Sequence, residues 1–242
     1  MFRFPSWTIS AAHVVGCASV ASGVWLLVTE QASAWWLLGW FVMHLWHTLM
    51  VSVGLHRYFS HGAFKTTPFW HRVMALYSVP LLYGSPYAWA TMHTTHHARS
   101  DTDLDPHYTD WTYLFYKGFR DVPMAKVRLR RMVGDPVTDF VHRNGAALWA
   151  IFAVAGLLIS PAAFLFLYLM PMGSSHIAGA IHQVIGHWGG RPRDLAALEF
   201  VLPAAGEWHH GTHHDHPGWA DFRTRWWHLD TGAAFIRLIR TN

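Results

Sequence analysis

Apolar residues along this chain gather into two long blocks rather than the short periodic runs of a soluble fold. Between Arg3 and Arg57 the only charged residue is Glu30, and from Asn144 to Gly190 there is none. Each block breaks once, the first at 29–33 and the second at Ser160 and Pro161. A helix crosses the ~30 Å hydrocarbon core with about 20 apolar residues. The pattern therefore predicts four spans, near 9–28, 34–54, 146–159 and 162–185. The third is short for that thickness and is expected to draw on residues before Asn144. The remainder, 55–145 and 187–242, then forms a cap, with 1–242 as a single domain. The expected fold class is all-α integral membrane, with four transmembrane helices in two hairpins under a helical cap.

Composition agrees, with 52% hydrophobic and only 13% charged residues, about half the usual charged share. That excludes an ordinary cytosolic domain and a disordered chain, and the single Cys17 excludes an intrachain disulfide. Of the 18 Lys and Arg residues, Arg3 stands at the start, and all others fall between Arg57 and Arg143 or from Arg191 onward. Neither interhelical turn carries one. The positive-inside rule assigns both termini and the cap to the cytoplasm, as in a bacterial inner membrane protein. The basic excess then needs no nucleic acid. A cleaved signal peptide is the competing reading of the first span, but its apolar run is longer than a signal core of 7–15 residues.

Histidine changes the picture, with 20 copies in the chain, because neutral imidazole is the commonest metal ligand. Three clusters lie outside the spans: His56 and His61; His93, His96 and His97; and His209, His210, His213 and His214. Positions i, i+3 and i+4 share a helix face, so His93, His96 and His97 are expected to converge on one point, as are His210, His213 and His214. His56 and His61 are five apart and need a helix end or bend. Leaving His209 aside, the eight remaining imidazoles exceed the four ligands of a structural zinc, which points to two redox metals. Among the chain's motifs there is no HExxH and no cysteine cluster.

With these residues in view, the stretch 54–240 resembles the membrane fatty acid desaturases, specifically the acyl-CoA Δ9-type group. The first box from Gly54, the Gly84, Pro86 and Trp89 element, the second box with its Asp101, Asp105, Pro106 and His107 continuation, and the closing Trp226, His228, Asp230 and Gly232 carry the likeness. The resemblance implies a four-helix membrane plan whose cytoplasmic cap holds two irons. It implies the ligands His56, His61, His93, His96, His97, His187, His210, His213 and His214, with His187 placed at the end of the fourth span. It places Gln183, Asp101, Asp105, Glu207 and Trp89 beside the ligands or the substrate. The chain departs from the family pattern at Thr94, Gly211 and Gln183, where the family more often has Arg, Asn and Asn. The other eleven histidines are expected to be structural or near the substrate, with His182 the rival to His187 and His209 the other exception to watch.

The implied chemistry is oxygen-dependent desaturation of a fatty acyl chain, with dioxygen as co-substrate and an external electron donor such as ferredoxin or cytochrome. Tyr87 and Trp89 are expected along the acyl tunnel. Arg57, Arg72, Lys126, Arg128, Arg130 and Arg131 are expected at a CoA headgroup or at lipid phosphates. A related di-iron hydroxylase shares the first hydrogen abstraction and is the near alternative. A membrane metal transporter is the distant one, since its ligands belong near the bilayer midplane.

Overall fold

The computed structural model describes residues 6–107, 111–116, 122–123 and 132–241. Among these, α1 spans Ser6–Val28, α2 Trp35–Ser60, α3 Pro68–Leu81, α4 Pro86–Arg99, α5 Tyr113–Tyr116, α6 Pro136–Ile159, α7 Pro161–Gly186, α8 His210–Asp215 and α9 Thr231–Ile239. Two strands of two residues each, Lys65–Thr66 and Arg240–Thr241, pair antiparallel with Lys65 opposite Thr241. Four helix starts share one device. Thr67, Ser85, Asp135 and Ser160 each cap a backbone N–H with a side-chain oxygen, and each is followed by proline. Proline at the first helical position loses no hydrogen bond and presets φ.

Helices α1, α2, α6 and α7 are long and apolar enough to cross a membrane. Helix α6 leaves Ile151, Leu158 and Ile159 68%, 82% and 84% exposed. Apolar surface of that extent calls for lipid rather than water. Helix α6 begins at Pro136, ten residues before the boundary read from the sequence, so the helix itself includes residues upstream of Asn144. The charged Asp139 and Arg143 had hidden that extension.

Helix α1 packs on α7 through a glycine pair. A Cβ on Gly173 would lie 2.3 Å from the Gly16 carbonyl oxygen, so small residues set this separation, as membrane helix packing favours. Helix α2 is α-helical only to Leu49 and π-helical over Met50–Ser60. Helix α7 has a shorter π-helical stretch at Leu165–Leu169. The far ends of α2 and α7, with α4 and α8, meet at one end of the bundle, where the histidines lie.

Candidate metal centre

The π-helical end of α2 explains the five-residue spacing of the first box. In a π turn, residue i+5 rather than i+4 closes onto residue i. The His61 N–H accordingly donates to the His56 carbonyl at 3.2 Å, and both rings face one side. The bend anticipated from sequence is thus a change of helix type.

Nine histidines gather into two groups, in each of which one ligand atom per residue lies within 4.8 Å of the others. One contains His56, His61, His93, His97 and His213; the other contains His96, His187, His210 and His214. The second and third boxes do not each converge on one point, as the shared helix face had suggested. Helix α4 sends His93 and His97 to the first group and His96 to the second, while α8 divides His213 from His210 and His214. Neighbours at i+3 and i+4 diverge enough in angle to serve two centres a short distance apart.

Within the first group, ring nitrogens run in a series: His56 to His213 at 2.8 Å, His213 to His97 at 2.8 Å, His97 to His93 at 3.0 Å and His93 to His61 at 2.8 Å. In the second, His210 and His187 nitrogens are 2.7 Å apart. Two nitrogens bonded at about 2.1 Å to one ion, at right angles, sit roughly 3 Å apart. The spacing therefore suits metal ions. The buried Nε2 atoms of His96 and His214 have no protein partner, a costly arrangement that coordination relieves.

Three carboxylates aim the rings. His56 Nδ1 meets Glu207 Oε2 at 2.7 Å, His96 Nδ1 meets Asp105 Oδ2 at 2.9 Å and His187 Nδ1 meets Asp101 at 3.1 Å. Each contact fixes the tautomer and leaves Nε2 free to ligate. Burial, then neighbouring imidazoles, lowers His61 to about 3 and His187 to about 4. The same causes depress His93, His97, His210, His213 and His214. These rings are neutral at pH 7, with lone pairs available for metal. Burial works against ionisation of Glu207, yet His56 and Arg57 hold it down at about 2. The Glu207 carboxylate that orients His56 is therefore charged.

A cavity of about 110 Å³ adjoins both groups, lined by His56, His93, His96 and His210 together with Thr48, Val51, Tyr83, Trp89 and Gln183 among others. Trp89 lies nearly parallel to His93, with ring centres 6.0 Å apart. Gln183 is buried and its amide nitrogen has no protein partner. Tyr87 is not on this lining: its hydroxyl binds Asp139 at 2.7 Å and the Met132 carbonyl.

The remaining histidines lie outside both groups. His182, the rival to His187, gives Nε2 to the Glu207 carbonyl at 2.8 Å, and His209 gives Nε2 to the Leu229 carbonyl at 3.0 Å. Arg57, expected at a headgroup, is instead fully buried against Asp230. Its place directly after His56 in the buried π turn is the reason. Arg72 remains exposed, and Lys126, Arg128, Arg130 and Arg131 lie outside the described residues. Sequence reading missed Asp194, which accepts the Thr212 N–H and hydroxyl at 2.9 and 2.7 Å and anchors α8. No local pattern marked it.

No protein-family model matches the chain. It is 29% identical to a Delta(9)-fatty-acid desaturase of Caenorhabditis elegans over 84% of this chain and 67% of that protein. It is 24% identical to an acyl-CoA C20 Delta5-desaturase of Anemone leveillei, over 78% of this chain and 65% of the relative. It is 26% identical to an sn-2 palmitoyl-lipid 9-desaturase of Nostoc sp., over 89% and 82%. That breadth of likeness, joined to paired histidine groups at the ends of apolar helices, makes this chain a relative of the membrane fatty acid desaturases.

Proposed function

We propose that the chain desaturates a long-chain fatty acyl group, of Δ9 type and carried on CoA, with dioxygen and two electrons from an external donor such as a ferredoxin or cytochrome. The balance is one acyl chain, one dioxygen, two electrons and two protons giving one cis double bond and two waters. The observation that carries this reading is the pair of imidazole groups sharing α4 and α8 and bordering one cavity. Its ligands are His56, His61, His93, His97 and His213 for one iron and His96, His187, His210 and His214 for the other. Imidazole also suits zinc and copper; zinc has no redox chemistry to offer, and iron is the metal of this proposal.

Bound iron would supply the redox chemistry with dioxygen; the chain's own residues position and shield. Glu207, Asp105 and Asp101 hold three rings in register. Trp89, Val51 and Tyr83 present an apolar wall that keeps bulk water from the reacting carbons. Holding one methylene of a flexible chain at the metals is the main positioning task. One-sided cations support a cytoplasmic site and termini in a bacterial inner membrane. Expression in a desaturase-deficient bacterium tests the reading. Monounsaturated acyl chains that disappear with His97→Ala support it, and an unchanged fatty acid profile at equal protein levels counts against it.

A further inference from the structure

A buried charge network lies behind His56, outside both histidine groups. The Arg57 guanidinium donates to both Asp230 carboxylate oxygens at 3.1 and 3.0 Å, to the Ala205 carbonyl at 2.8 Å and to the Ala220 carbonyl at 3.0 Å. It also lies 4.0 Å over the Phe222 ring. On the other side Glu199, fully buried, accepts the backbone N–H groups of Ala204, Gly206 and Trp208 at 3.0, 2.8 and 3.2 Å. The turn between these two side chains is left-handed, with φ of 56° at Ala205 and 91° at Gly206. A Cβ on Gly206 would lie 2.3 Å from Asp230 Oδ1 and 2.5 Å from Arg57 Nη2. A positive φ at alanine is disfavoured and persists only where the surroundings enforce it.

The turn delivers Glu207. Its carboxylate meets His56 Nδ1 at 2.7 Å and the Ser52 hydroxyl, while its carbonyl accepts from His182. The nearest Arg57 nitrogen is 3.8 Å from Glu207 Oε1, so His56 remains the close partner of that carboxylate.

We propose that Arg57 and Glu199 are positioning residues of the metal centre, gripping the 204–208 turn from opposite sides so that Glu207 locks His56 into the five-histidine group. The inference rests on the nine histidines being metal ligands. Stability alone explains the network less well, because a buried ion pair often adds little net stability over apolar residues of similar size. Here the grip is spent on a turn that presents the Glu207 carboxylate to the ligand His56. Arginine is required rather than a generic cation, since its planar fork reaches Asp230 and Ala205 together.

The test uses the full chain in detergent, loaded with cobalt(II), whose visible absorption reports coordination. The unaltered protein should bind two ions per chain. Arg57→Lys should weaken one site tenfold or more, the range for lost ligand-orienting partners, and leave the other site's spectrum intact. Glu207→Gln should do the same, and the double variant should bind no worse than either single one, because both act on the same ligand. Glu199→Gln, which keeps side-chain shape, should give a smaller loss at the same site and serves if Arg57→Lys folds poorly. Two undiminished sites in both Arg57→Lys and Glu199→Gln would overturn the proposal while leaving the ligand reading standing. Additive losses in the double variant, or equal loss at both sites, would also overturn it. Failure of the unaltered protein to bind cobalt would overturn the proposal and the ligand reading together.

Discussion

His182 and His187 stand five residues apart near the end of α7 and do different work. His187 joins three other imidazoles and leans on Asp101, while His182 holds a backbone carbonyl. His187→Ala should therefore strip metal and activity together, and His182→Ala should leave most of the metal in place. Metal content of the purified variants decides; loss confined to His182→Ala would reverse the assignment. Asp105→Asn should weaken metal binding about 10- to 100-fold without unfolding, because the amide no longer fixes the His96 tautomer. An unchanged affinity would show that Asp105 serves packing alone. Eight of the nine grouped histidines stand out in the sequence because their type and spacing carry the signal, whereas His187 was placed only by the family resemblance. The division of each box between two groups was not visible there, since spacing gives a shared face but not the angle between neighbours. Arg57 was misread for a related reason: among scattered cations, nothing local marks the one whose partner, Asp230, arrives 173 residues later.

At the level of elements, the π-helical end of α2 sets the first box. Its i+5 closure is what makes a five-residue spacing equivalent to one turn. Deleting Ser60 brings the two histidines to α-helical spacing and should empty the five-histidine group, read as the loss of one metal per chain with membrane insertion unchanged. Two metals retained would mean the π geometry is incidental. The four spans were marked by charge-free blocks. Helix type was not, because apolar content and periodicity do not distinguish a π turn from an α turn over eleven residues. The start of α6 was read ten residues late for the reason that two charged residues sit inside it. Packing of α1 on α7 depends on the Gly16 and Gly173 approach. Gly173→Leu should lower the melting temperature in detergent markedly, since backbone rather than a movable side chain fills the space.

Across the whole molecule, lipid-facing apolar helices carry a polar histidine interior at one end. That interior makes the metal-free protein sensitive to acid. The folded pKa of His61 is about 3 and that of His187 about 4, below the ordinary 6.5 that an unfolded chain would show. The unfolded state therefore binds more protons between those limits, and stability rises with pH across that window. The melting temperature of the metal-free protein should hold near pH 7 and fall steadily from about pH 6.5 toward pH 4. A flat or rising profile on acidification would show that these rings are not buried as neutral groups. The four-helix architecture was legible at this scale because long charge-free blocks are a global feature. The cavity was not, because it forms between residues such as Thr48, Trp89 and Gln183 brought together from three helices.

The most direct test of the account is the mass of the acyl product. Iron-loaded protein is supplied with a long-chain saturated acyl-CoA, a reductant with its carrier protein, and air. The account predicts a product two hydrogens lighter than the substrate, formed only with oxygen present and absent in His213→Ala. A product heavier by one oxygen, or an acyl chain returned unchanged by protein carrying both irons, would contradict it.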